Sequence, residues 1–165
     1  MKFTKSEVVG VVFSKLAPKL DDTFADVGCG TGQVSEFFAP YVRKVYAVDE
    51  DEKAISLARE KLSNFKNVEL IRMNGVEFLR RYKIDLAFFG GTKNIEEMLD
   101  ICSAKRFVVN AARIEVAERV MRKMKELGVF KELVIVNISK SYELAGGTAF
   151  KSLNPVFMVV GCSTE

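Results

Sequence analysis

Apolar positions along this chain recur at helical spacing, then gather in short continuous runs, and the two patterns alternate for most of its length. Val8, Val9, Val12, Phe13 and Leu16 share a helical face ahead of Pro18, and Thr4-Lys5-Ser6-Glu7 before them has the form of a capping box. A strand over 23–27 follows, then a short helix over 33–39 with Val34, Phe37 and Phe38 on one side, and a strand over 44–48. A helix over 51–64 turns Ala54, Ile55, Ala58 and Leu62 inward and its charges outward. A strand over 68–72 and a helix over 76–81 lead to 84–89, a continuous apolar run expected of a strand covered on both faces. Asn94 with Glu97 is placed to cap a helix carrying Ile95, Met98, Leu99 and Cys102, and a fifth strand covers 106–109. Ile114, Ala117, Val120, Met121, Met124 and Leu127 form the clearest helical stripe, closed by Gly128 and flanked by the exposed pairs Glu115 with Arg119 and Glu118 with Arg122. Strands over 133–138 and 156–160 end the pattern, joined by an excursion over 140–154 that contains Gly146-Gly147.

Seven strands alternating with helices predict an α/β fold: three layers, a mostly parallel sheet with helices on both faces. The last two strands, with no helix between them, predict that the final one is antiparallel. A chain of 165 residues, 48% hydrophobic, is expected to form one domain over 1–165 without disulfide or metal support. Its net charge of +3 is scattered, so no basic run announces a nucleic acid. Cys29, Cys102 and Cys162 have neither metal-ligand nor redox spacing, and with no histidine the usual metal ligand and general base are missing, so no metal is expected. Met1-Lys2-Phe3-Thr4-Lys5 lacks a signal h-region and no apolar run nears the length that spans a bilayer, which predicts a cytoplasmic protein away from membranes.

Candidate chemistry concentrates in Asp26-Val27-Gly28-Cys29-Gly30-Thr31-Gly32 and in Asp49 at the end of the second strand. The glycines let backbone approach a ligand, and the helix that follows aims free amides at it. A dinucleotide fingerprint would read Gly-x-Gly-x-x-Gly; here position 33 is Gln and an acid, Asp26, precedes the turn. Those departures favour S-adenosylmethionine, with its amino-acid end over the turn and its ribose hydroxyls on the Asp49 carboxylate. Asn74-Gly75 follows the third strand, where an adenine would be held, and Asn74 offers an acceptor oxygen there. Glu50, Asp51 and Glu52 are acids at a helix start, favoured by the helix dipole alone.

These motifs resemble the class I S-adenosylmethionine-dependent methyltransferases, whose fold is Rossmann-like. Within them the chain is similar to the decarboxylating cobalt-precorrin-6B methyltransferases of cobalamin synthesis, the CbiT family. The discriminating segments are 84–91, Val109-Asn110-Ala111 with Glu115, Gly147-Thr148-Ala149-Phe150, and Asn154-Pro155-Val156. The resemblance implies methylation of carbon-15 of a corrinoid precursor with loss of carbon dioxide from the ring C acetate. It also implies cofactor contacts at Thr4, at Gly28, Cys29, Gly30, Thr31 and Gly32, at Asp49 and at Gly75, and assembly into homo-oligomers, tetramers among them. The sequence departs from the family at Asn74, where an acid is usual, at Lys93 and Asn94, where glycines often extend the loop, and in the short stretch before Thr4.

An electron-rich tetrapyrrole carbon attacks a sulfonium without a strong protein base, so alignment and exclusion of water suffice and no catalytic residue is assigned. The anionic tetrapyrrole is expected to meet Gly90, Gly91 and Thr92 as donors and Arg113, Lys140 and Lys151 as counter-charges. Two rival readings are an RNA methyltransferase and a non-catalytic protein that keeps the fold. Phe89-Gly90-Gly91-Thr92 lacks the acid-or-amide, Pro-Pro and aromatic signature of base amino-group methylation, and intact Gly28, Gly30, Gly32 and Asp49 argue against a relic.

Overall fold

The computed structural model describes residues 4–163, so the reading of Met1 to Phe3 as lacking a signal region lies outside the described residues. The elements run α1 (Ser6–Leu16), β1 (Thr23–Val27), α2 (Gln33–Phe38), β2 (Lys44–Asp49), α3 (Glu52–Leu62), β3 (Val68–Arg72), α4 (Gly75–Arg81) and β4 (Leu86–Phe89). They continue with α5 (Ile95–Ile101), β5 (Arg106–Ala111), α6 (Ile114–Glu126), β6 (Phe130–Val136), β7 (Ser139–Leu144), β8 (Gly147–Ser152) and β9 (Val156–Cys162). A single 3-10 turn, Ala39–Tyr41, takes up Pro40 after α2.

Seven strands form one sheet in the order β3-β2-β1-β4-β5-β9-β6. β1 to β5 are parallel, and β9 runs antiparallel between β5 and β6, as the missing last helix predicts. The excursion over 140–154, left without structure by its polar pattern, is largely a separate hairpin in which Ser141 faces Phe150 and Leu144 faces Gly147. The tally of strands is therefore nine, in two sheets.

Alternate residues of the strands feed different cores. Ala25, Val27, Ala87, Phe89 and Val109 meet α4, α5 and α6 on one face. Phe24, Leu86, Phe88, Val108 and Met158 meet α1 and α2 on the other, where Phe24 and Phe38 stack with centroids 4.1 Å apart. α3 closes the same side through Ile55, Ala58 and Leu62 against Ala47 and Cys29. Gly128, at φ +71°, ends α6 as expected, and Val129 N–H returns to the Met124 carbonyl.

Two caps differ from expectation because each acid has a better partner elsewhere. Lys5, not Thr4, stands at the N-cap of α1 without a side-chain bond, and Glu7 pairs instead with Lys140 at 2.7 Å. Asn94 is left-handed at φ 56° and bonds no amide of α5, while Glu97 pairs with Arg80 at 2.8 Å. Glu118 and Arg122 pair as expected, but Arg119 reaches Glu96, not Glu115.

Candidate functional site: a nucleoside pocket joined to a second cavity

The strand order reverses at β1, whose neighbours β2 and β4 lead away in opposite directions, and a crevice opens beyond the carboxyl ends of β1 and β4. Gly28 and Gly90 are the residues that leave those two strands. Gly90 N–H donates to the Val27 carbonyl at 2.9 Å, and a Cβ on Gly90 would lie 2.9 Å from the Gly28 carbonyl oxygen. Two cavities meet at this pair.

The smaller, about 310 Å³, is lined by Gly28, Gly30, Asp49, Asn74, Gly75 and Gly91 among others. Its turn is tied to β2 through the Gly28 and Cys29 N–H groups, both donating to the Val48 carbonyl. Gly28 at φ +78° and Gly32 at φ +84° hold a backbone that other residues rarely adopt, and Gly32 opens α2. Asp49 accepts the Gly30 N–H on Oδ2 at 2.9 Å and the Asp51 N–H on Oδ1 at 3.0 Å, so the carboxylate is oriented and each oxygen keeps a lone pair for a ligand. Asn74 also lines this pocket, but its Oδ1 caps α4 by accepting the Glu77 N–H at 2.9 Å. Lys93 and Glu50 pair at 2.9 Å on the rim.

The larger cavity, about 600 Å³, is walled by Asp26, Cys29, Thr31, Asn110, Ala111 and Pro155, with Thr4 and Lys5 from the head of α1. Asp26 is 1% exposed; the Ser35 N–H and hydroxyl both donate to its Oδ2, and its Oδ1 has no partner. Burial pushes this carboxyl up to about 7 against the pull of Ser35. An acid held in that way over a glycine turn fits the ammonium of an amino acid, which supplies both the missing donor and the opposite charge. The Cys29 thiol is pushed far up, by burial first and then by Asp26 and Asp49, so it stays an inert wall residue.

The structure thus gathers the expected cofactor residues Thr4, Gly28, Cys29, Gly30, Thr31, Asp49, Asn74 and Gly75 around two joined cavities, with Gly32 buried behind them. Of the expected substrate residues, Gly90 and Gly91 are on the walls, whereas Thr92, Arg113, Lys140 and Lys151 line neither cavity. Lys140 is engaged by Glu7, and Arg113 and Lys151 are exposed. Asp26 is signalled in the sequence as the acid before the turn and Asn110 as part of a family-marking segment, but only the fold brings Ser35 to Asp26 and puts Asp26 and Asn110 on one cavity.

Known proteins agree with this geometry. The family described as "Precorrin methyltransferase domain" matches residues 1–161. The chain is 63% identical to the Archaeoglobus fulgidus protein named "Probable cobalt-precorrin-6B C(15)-methyltransferase (decarboxylating)", covering 97% of each chain. It is 41% identical to the Methanosarcina mazei protein of the same name, covering 96% of this chain and 92% of the other. The solved precorrin 8W decarboxylase of Methanobacterium thermoautotrophicum superposes with a TM-score of 0.90 at 31% identity, over 99% of this chain and 93% of that one. With its family, its glycine turn and its paired cavities in agreement, the chain belongs to the precorrin methyltransferases.

Proposed function

We propose that this protein is an S-adenosylmethionine-dependent C-methyltransferase that methylates carbon-15 of cobalt-precorrin-6B and removes carbon dioxide from the ring C acetate, in cobalamin biosynthesis. One observation carries the reading beyond the fold. Gly90, Asn110-Ala111 and Asn154-Pro155-Val156, segments far apart in sequence, line a single cavity that opens into the nucleoside pocket at Gly28 and Gly90.

In this reading Asp49 takes the ribose hydroxyls, Asn74 and Gly75 border the adenine, and the turn Gly28 to Gly32 with Thr4 and Asp26 surrounds the amino-acid end. When bound, the sulfonium supplies an activated methyl group. The chain's own part is to align and to exclude water: Gly28 and Gly90 bring the two cavities edge to edge, and the walls around Phe88, Ile138 and Leu153 keep the approach dry. The tetrapyrrole's other carboxylates lie toward Lys5, the single cation on the cavity wall. Free Cys29, Cys102 and Cys162 suit a reducing cytoplasm, and no helix among the described residues is long and apolar enough to cross a membrane. The exposed hairpin β7–β8 supports assembly of like chains.

Mass spectrometry of the tetrapyrrole product tests the reading: one methyl group gained and one carbon dioxide lost are expected, and a product lacking either change refutes it. Asp49→Ala is expected to weaken S-adenosylmethionine binding by about ten-fold or more in calorimetry, as loss of two hydrogen bonds to a charged group requires. Unchanged affinity would remove Asp49 from the site.

A further inference from the structure

Three buried side-chain polar atoms among the described residues have no hydrogen-bond partner, and two of them, Asp26 Oδ1 and Asn110 Oδ1, belong to walls of the larger cavity. They serve different ends of it. Asp26 is registered with Phe88, and Phe88 with Val108, so Asn110 lies two strands away on the same sheet face and two residues nearer the carboxyl ends. That separation is about 12 Å from strand spacing and rise, too far for Asn110 to share the ammonium that Asp26 awaits.

Asn110 is held in place by the ladder between β5 and β9, where it pairs with Met158. An unpartnered buried oxygen is a penalty that a leucine there would avoid, so the amide is kept for what its other end does. Asn110 lines the larger cavity together with Ala111, Ile138, Leu153, Asn154, Pro155 and Val156. Asn154 apart, this wall is apolar, and the cavity's one cation, Lys5, is contributed by the head of α1.

A carboxylate placed against such a wall loses water and meets mainly apolar side chains. We propose that this wall holds the carboxylate that the substrate loses, and that the Asn110 amide N–H orients it. The inference rests on the proposed decarboxylating methyl transfer. Attack on the methyl group takes an electron pair from the macrocycle and leaves it one positive charge. The bond between the acetate methylene and the carboxylate then breaks, carbon dioxide leaves, and the bonding pair returns to the macrocycle and neutralises it. The exocyclic carbon gains its proton from the macrocycle by tautomerisation, so no outside acid or oxidant is required. A neutral donor suits this step: it fixes the carboxylate's direction without the charge stabilisation that an arginine would give to the ground state.

The test uses the full chain, S-adenosylmethionine with a labelled methyl group, and corrinoid substrate labelled in the departing carboxyl. Methyl transferred and carbon dioxide released are counted separately. Asn110→Leu is expected to lower carbon dioxide released per methyl transferred by about ten-fold, with cofactor affinity within about two-fold of wild type. Asn110→Asp, nearly the same shape, replaces the donor by a like charge and is expected to lower the ratio further. A ratio that stays at the wild-type value in Asn110→Asp overturns the proposal, as does loss of cofactor affinity in step with activity in both variants. A wild-type chain that transfers methyl without releasing carbon dioxide overturns the functional reading itself, and this inference with it.

Discussion

Ser35 gives both its backbone N–H, at 3.0 Å, and its hydroxyl, at 2.7 Å, to a single oxygen of Asp26, and the other oxygen of that buried carboxyl is left bare. The folded protein therefore favours the protonated acid, with its pKa raised from 3.8 to about 7, chiefly by burial. Between those two values the folded state binds more protons than the unfolded chain, so this group makes stability fall as pH rises through about 4 to 7 and adds no further loss above that window. The shift corresponds to a penalty on the order of 4 kcal/mol for the ionised acid at higher pH. Asp26→Asn keeps an acceptor for Ser35 and removes the titration. Without cofactor, the variant is expected to be more stable than wild type at pH 8, by about 1–2 kcal/mol once its own unpaired amide is counted, and to lose that advantage at pH 5. Chemical denaturation at the two pH values decides; parallel behaviour of the two proteins would mean that Asp26 is not buried in this state.

The same carboxyl is expected to make cofactor binding proton-linked. An ammonium beside Asp26 favours the ionised acid, so at pH 6, where the unliganded carboxyl is largely protonated, binding S-adenosylmethionine is expected to release close to one proton per site. Calorimetry in two buffers of different ionisation enthalpy reads the number directly. Asp26→Asn is expected to bind more weakly and to release none. A wild-type value near zero would move the ammonium away from Asp26.

What the sequence makes legible follows burial. The apolar run ending in Phe88 and Phe89 reads as a covered strand because both its faces are buried, and the stripe through Val120 and Met124 reads as a helix because that face alone is. The hairpin is not legible for the converse reason: β7 and β8 are exposed on both faces, so no buried apolar face marks them. The capping bonds expected at Thr4 and Asn94 are not made, although Asn94 does stand at the N-cap of α5, and Glu7 and Glu97 answer to Lys140 and Arg80, partners that only the fold supplies. At the site, Asp49 and the glycine turn are local features with fixed spacing. Asn110 stands in a segment that marks the family, but its place in the site becomes visible only when the register of three strands carries it to Asp26's side of the sheet and its oxygen is seen to be alone.

Gly90 and Gly91 are adjacent, yet their substitution by alanine is expected to differ. A Cβ at Gly90 meets the Gly28 carbonyl oxygen at 2.9 Å, backbone against backbone at the seam of the two cavities, whereas one at Gly91 meets nothing within 4 Å. Gly90→Ala should push β4 from the glycine turn, destabilise the protein by about 1–3 kcal/mol and weaken cofactor binding. Gly91→Ala should fold as stably as wild type does. Thermal unfolding with and without S-adenosylmethionine compares the two, and equal effects would show that the strands do not approach as described.

The hairpin β7–β8 bears directly on assembly. Its two strands form a sheet of their own, pairing only with each other, and an isolated two-stranded ribbon is marginal in water. Both faces of this ribbon carry exposed apolar side chains: Leu144, 57% exposed, shares one face with Tyr142, and Phe150, 70% exposed and opposite Ser141, lies on the other. The salt bridge from Lys140 to Glu7 anchors only the start of β7. A second copy of the chain packed on either face would bury apolar area, and pairing along an edge would satisfy one of the hairpin's free strands. Phe150→Ser together with Leu144→Ser is therefore expected to shift the protein toward a monomer in sedimentation velocity. Because neither residue lines either cavity, S-adenosylmethionine affinity should change little. A doubly substituted protein that sediments as wild type does would place the interface elsewhere.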